Sequence, residues 1–224
     1  MTRDTTRRVA RYWNDIAADF DAIYSGRGKS ALARWLDRTL RWDIHGRFEW
    51  VMARAGDVRG RTVCDVGCGS GRFVAAFARR GAAQVTGVDI APAMIALADR
   101  LATDEGVRDR CEFVVSDIAE WTTDRVFDLT VAIGFWDYIA QPAERLRRIR
   151  AMTGGTFFSA WPRRWTWRAP VRKLRLALSG CPVYFFGRDE VERLLHEAGF
   201  DVVRVDMIGQ LFCVEARPRQ PEQP

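Results

Sequence analysis

From about residue 45 onward the apolar positions of the chain switch repeatedly between a period of two and a period near 3.6, which predicts alternating strands and helices. Short apolar runs at residues 62–66, 84–89, 111–116, 128–133 and 155–160 read as strands. Between them, residues 72–80, 92–102 and 142–150 carry apolar side chains at helical spacing. Phe48, Val51, Met52 and Ala55 mark a helix ahead of the first strand, and Val191, Leu194, Leu195 and Ala198 mark one after the fifth. Two closing strands, 202–207 and 210–216, stand so close together that they predict an antiparallel hairpin at the sheet edge. The whole pattern implies an α/β fold: a doubly wound, mostly parallel seven-stranded sheet covered by helices on both faces. Residues 1–44 are rich in aromatics, break around Ser25-Gly26-Arg27-Gly28, and predict a helical N-terminal cap on a domain spanning 45–216. Residues 217–224 read as a flexible, proline-bearing tail.

The transition after the first strand is the most informative. Val63-Cys64-Asp65-Val66 runs into Gly67-Cys68-Gly69-Ser70-Gly71 and then into the helix beginning near Arg72. Glycines there let the backbone turn sharply and let a ligand approach the main chain, while the helix N-terminus offers free N–H groups. A nucleotide-like cofactor is the expected occupant. Arg72 stands where a dinucleotide fingerprint carries its third glycine, which counts against NAD. Three acidic residues fall at or beyond strand ends, where open parallel sheets hold their ligands. Asp65 is placed to fix the glycine loop by accepting backbone N–H bonds or to reach a cofactor amino group. Asp89, 18 residues after Gly71, suits the two vicinal hydroxyls of a ribose. Asp117 suits an adenine amino group, with the Ile118 N–H facing the ring.

On these residues the chain resembles the class I S-adenosylmethionine-dependent methyltransferases over roughly residues 45–216. Val63 to Gly71 matches the family's loop, Asp89 its acidic second-strand end, and Asp117-Ile118 its acidic-apolar pair after the third strand; the Phe127-Asp128 entry to the fourth strand also fits. The resemblance implies S-adenosylmethionine as cofactor, held by Asp65, Gly67, Cys68, Gly69, Gly71, Asp89, Ile90, Asp117, Ile118 and Gly134. A weaker similarity, in the layout after the fifth strand and in residues 185–195, is to the magnesium-protoporphyrin O-methyltransferases, whose substrate is a planar carboxylate near membranes. Where that family is expected to carry a histidine after the fourth strand, this chain has Asp137-Tyr138.

Methyl transfer from a sulfonium needs alignment and exclusion of water more than acid-base help, because the leaving group is already cationic. A base matters only for an acceptor that must lose a proton. Asp137 and Tyr138 are the candidates for that role, and Phe135 or Trp136 for a ring against the sulfonium or the acceptor. The insertion at 161–187 holds six basic residues, among them Arg164, three tryptophans including Trp165, and no acid. Together with Tyr12 and Tyr24 of the aromatic N-terminal segment, it suggests a cap over an anionic, partly apolar or planar small molecule, or peripheral contact with an anionic membrane. A solvated basic helix face accounts for the insertion equally well.

Charge in total says less than charge in place. The net charge is +6, but only Lys29 and Lys173 among the 35 basic residues are lysine, a skew expected of a GC-rich coding bias. The five cysteines form no Cys-x-x-Cys pair and the two histidines lie far apart, so neither a disulfide framework nor a metal site is expected. The polar start of the chain, with no apolar run behind it, reads as cytoplasmic. A nucleic-acid methyltransferase is the rival class; against it, the chain lacks an Asn/Asp-Pro-Pro-aromatic motif and a Pro-Cys nucleophile, Cys181-Pro182 being the reverse order. A non-catalytic S-adenosylmethionine-binding role is the third alternative.

Overall fold

The computed structural model describes residues 3–17, 42–164, 166 and 181–220. Its strands are β1 (Thr62–Val66), β2 (Gln84–Asp89), β3 (Cys111–Val115), β4 (Phe127–Ile133), β5 (Thr153–Pro162), β6 (Phe200–Ile208) and β7 (Leu211–Pro218). They form one seven-stranded sheet in the order β3-β2-β1-β4-β5-β7-β6, parallel except where β7 runs antiparallel to both β5 and β6. The expected hairpin is therefore present, with its second strand inside the sheet and its first on the edge.

Six described helices accompany the sheet: α1 (Arg3–Asp15), α2 (Trp42–Arg54), α3 (Arg72–Arg79), α4 (Pro92–Asp104), α5 (Pro142–Met152) and α6 (Arg188–Glu197). Pro92 and Pro142 open α4 and α5, where a missing N–H costs nothing and the fixed φ favours the first turn. The two faces of the sheet bury separate cores. Val63, Val85, Leu129, Val131 and Phe158 pack with Val51 of α2 and Phe77 of α3 on one side. Cys64, Val66, Ala132, Phe157 and Trp161 pack with Leu146 and Ile149 of α5 and Leu195 of α6 on the other.

Two features position the crevice at the carboxyl ends of the strands. Successive crossovers diverge between β1 and β4, so the ends of those strands leave a gap at the switch point. Across that end lies α1: Asn14 Oδ1 accepts the Ala93 N–H at 3.0 Å, Thr6 Oγ1 donates to Asp117 Oδ2 at 3.4 Å, and Trp13 meets the Tyr138 ring edge-on at 5.4 Å. The chain after β7 starts bound rather than loose, since the Arg219 N–H donates to the Gly199 carbonyl at 2.8 Å and its guanidinium to Asp201 at 3.0 Å.

Candidate active site

The glycine loop is lashed to the neighbouring strand by main-chain bonds. Gly67 and Cys68 both donate to the Val88 carbonyl, at 2.8 and 3.1 Å. Gly67, Gly69 and Gly71 have φ of 70°, 53° and 79°, the left-handed region that L side chains resist. Their surroundings differ. A Cβ on Gly67 would lie 2.8 Å from the Phe135 ring and one on Gly71 2.7 Å from Ala98 Cβ, whereas one on Gly69 would meet nothing within 4 Å. The outer glycines are thus packed, and the middle one presents bare backbone to the crevice.

Asp89 holds this loop. Its Oδ2 accepts the Gly69 N–H at 3.0 Å and its Oδ1 the Ala91 N–H at 2.9 Å, and the Ile90 amide also lowers its carboxyl, which still leaves acceptor capacity for a ligand. Burial pushes its carboxyl above the usual range, and the bonds from Ala91 and Gly69 pull it back. The loop-fixing role expected of Asp65 belongs to Asp89 instead. The loop amides nearest Asp65 are spent on Val88, and its Oδ2, in a residue 1% exposed, has no hydrogen-bond partner. Burial, and then the charge of Asp89, push the Asp65 carboxyl up to about 8.

At the end of β3, Asp117 Oδ1 accepts the Ala119 N–H at 3.0 Å, while its Oδ2 takes an Arg145 N–H at 2.8 Å as well as the Thr6 hydroxyl. Ile118 is buried with Val66 and Val88. Ile90 lies half-buried beside Tyr12, Trp13 and Tyr138. Cys68 is buried next to the loop, and desolvation raises its thiol well above the ordinary range.

Two arginines join the site without any sequence signal of their own. Arg47 of α2 lies over Gly134, whose φ is 77°: a Cβ there would be 2.9 and 3.0 Å from the two terminal guanidinium nitrogens. α2 is pinned for this by Trp50, which donates to Asp206 at 2.9 Å and meets the Phe158 ring edge-on at 5.5 Å. Arg145 of α5 pairs with Asp117, its side chain only 3% exposed.

The acceptor-side candidates divide. Tyr138 is buried in one cluster with Val9, Cys181 and Val183, against which Tyr12 and Trp13 pack. Asp137 is 3% exposed and interacts with a neighbour, and its carbonyl accepts the Tyr184 N–H at 2.8 Å. Trp136 departs from its expected place on the acceptor wall. It is fully buried, stacked at 4.1 Å and 9° on Trp161, because the short 3-10 turn Trp136–Tyr138 aims it into the core. Arg164 turns away to Glu190 at 2.6 Å, where its charge is matched at the surface. Tyr24 and Trp165 lie outside the described residues. Among the described residues no cluster of three His, Cys, Asp or Glu side chains could hold a metal, and no helix is long and apolar enough to cross a membrane.

Comparison with known proteins bears on the domain and its fold. Residues 63–154 match the family model of a methyltransferase domain. Ubiquinone biosynthesis O-methyltransferases are similar in sequence: that of Bordetella avium is 32% identical over 141 residues, 58% of this chain and 57% of that protein. The Aeromonas salmonicida protein is 25% identical over 154 residues, 63% of this chain and 62% of its own length. The matched stretch thus spans about three fifths of those relatives. Among solved structures, magnesium protoporphyrin IX methyltransferase from Synechocystis with bound S-adenosylhomocysteine superposes with a TM-score of 0.77 at 19% identity, covering 95% of this chain and 98% of that one. Geranyl diphosphate C-methyltransferase from Streptomyces coelicolor gives 0.74 at 16% identity, covering 96% and 98%. At such identities the shared property is the fold. Residues 63–154 thus carry a methyltransferase domain, set in a fold shared with solved methyltransferases such as that of Synechocystis.

Proposed function

We propose that the protein transfers the methyl group of S-adenosylmethionine to a small-molecule acceptor that is anionic and partly apolar or planar. The observation that carries the cofactor half is the set of unspent groups around Gly69. The orphaned Asp65 Oδ2 suits an ammonium, the open face of Gly69 leaves room for a ligand against the backbone, and the remaining lone pairs of Asp89 suit a ribose diol. Arg47, over Gly134, supplies the cation for a carboxylate. These residues fit the amino-acid and ribose portions of S-adenosylmethionine, and Asp117 with Ile118 fits its adenine.

When bound, that cofactor supplies a methyl carbon on a positively charged sulfur, activated before the protein acts. What remains for the chain is alignment and exclusion of water. Asp89 and the glycine loop fix the cofactor's position, α1 roofs the strand ends, and Tyr12 and Trp13 of that roof pack with Tyr138 as an aromatic wall for the acceptor. In this reading Asp137 and Tyr138 orient a hydroxyl or carboxyl acceptor and take its proton. The anionic character of the acceptor rests on the acid-free basic run after β5.

The test is transfer of labelled methyl from S-adenosylmethionine into an extract of the source organism, with products separated into nucleic-acid, protein, lipid-soluble and water-soluble fractions. Label in a small anionic molecule is the expected result. Label in RNA or DNA overturns the acceptor class, and bound cofactor with no transfer to any fraction overturns the catalytic reading.

A further inference from the structure

The geometry points to Arg145 as the positioning residue for adenine recognition, acting through the carboxylate of Asp117. The inference rests on the cofactor reading above. α5 turns four apolar or small residues into the protein, Pro142, Leu146, Ile149 and Met152, and in the middle of that face stands an arginine 3% exposed. Its one described ion pair is to Asp117 at 2.8 Å, and its Nε has no hydrogen-bond partner. A guanidinium buried with a single carboxylate and an unfilled donor is a poor way to stabilise a helix-sheet contact, since an apolar side chain of similar volume would serve as well or better. The arrangement makes sense as a clamp on the acid.

The connection from β3 to β4 explains why the clamp comes from so far along the chain. Residues 116–126 contain turns and no helix, so Ile118 shares a core cluster with Leu146 and Ile149 of α5, and Arg145 of the same helix reaches Asp117 at the end of β3. Arg145 and the Ala119 N–H then hold the two carboxylate oxygens from different sides, which fixes the plane of the carboxylate. With Oδ2 taken by Arg145 and Thr6, the lone pair left on Oδ1 is the one available to a ligand. An acceptor-only group held there favours an exocyclic amine over a carbonyl at the same ring position, because the carbonyl brings no hydrogen and places two oxygens face to face. Only a carboxylate that cannot swing aside enforces that preference.

The readout is a ratio of affinities rather than activity. Calorimetric titration of the full chain with S-adenosylhomocysteine, and with S-inosylhomocysteine, in which a carbonyl replaces the exocyclic amine, gives the base preference directly. One charge-assisted hydrogen bond corresponds to a preference of about tenfold or more for adenine in the unaltered protein. Arg145→Met is expected to weaken the adenine ligand and leave the inosine ligand within about twofold, collapsing the ratio, while Arg145→Lys, which keeps a cation within reach of Oδ2, restores most of it. Equal weakening of both ligands by Arg145→Met, or an unchanged ratio, overturns the assignment and leaves Arg145 a structural pair. If the methionine variant does not fold, Arg145→Gln is read against Arg145→Lys by the same ratio. Failure of the unaltered protein to bind either ligand overturns the cofactor reading itself, a result distinct from the others.

Discussion

Asp65 and Asp89 lie on neighbouring strands beside the same glycine loop, yet Asp89 is bonded by the amides of Gly69 and Ala91 and Asp65 keeps an orphaned oxygen. The difference carries a pH dependence. With its carboxyl pushed up to about 8 by burial and by Asp89, Asp65 is protonated through the neutral range in the cofactor-free protein. A ligand ammonium needs the ionised form, so binding must drive off a proton below that pH. Affinity for S-adenosylhomocysteine is expected to rise about tenfold per pH unit from 6 towards 8 and to level off above it. Calorimetry in buffers of different ionisation enthalpy would register the released proton, and Asp65→Asn should flatten the profile; a flat profile in the unaltered protein would remove Asp65 from the ammonium site. The sequence assigns Asp89 to a ribose and Asp65 to the loop or an amino group; that Asp89 also bonds the loop was not legible in it, because it depends on which strand's carbonyl takes the loop amides. The arginines are harder still. Among 33 of them, Arg47 and Arg145 differ from surface arginines only in what the folded chain lays against them.

Elements were more legible than side chains. Hydrophobic periodicity located every strand to within about two residues, because both sheet faces are buried and each strand is a short apolar run between polar turns. β7 reaches Pro218 beyond its expected end at 216, since its last residues are held by pairing with the start of β6, which an apolar pattern does not display. Trp136 misled for the opposite reason: a tryptophan beside a strand end reads as a ligand wall, and only the 3-10 turn shows it directed into the core. α1 could be read as a cap but its attachment could not. It is tied by Asn14 to the first turn of α4, by Thr6 to Asp117 and by Trp13 to Tyr138, three contacts across the mouth of the crevice. A ligand that enters or leaves past α1 has to break these contacts. The double variant Thr6→Val with Asn14→Ala is expected to speed cofactor dissociation severalfold in stopped-flow displacement and to raise amide exchange in residues 5–15, with the melting temperature changed by only about 2–4 °C. Unaltered dissociation would show that ligands enter and leave without passing α1.

At the scale of the whole molecule, the cost of a preorganised site appears as a stability that depends on pH. Asp65 and Asp89 both titrate higher in the folded chain than an ordinary carboxyl does, with burial the leading cause. Between about pH 4 and 8 the folded state therefore binds more protons than the unfolded one, and the contribution of these groups, fully present at the acid end, is lost as pH rises through the folded value of Asp65. Urea midpoints of the cofactor-free protein should fall across that window, and saturating S-adenosylhomocysteine should reduce the fall; a rise instead would mean that other carboxylates dominate.

The order of the strands has a last consequence, one of timing. β7 sits between β5 and β6, so the sheet stays open along β5 until residues 211–218 have been made. A ribosome releasing this chain therefore delivers an almost complete parallel sheet with a bare edge, and β6 emerges before the strand it must pair with. The keystone is the last of the seven strands to be laid, and during that interval the nascent protein is most exposed to pairing with another copy of itself.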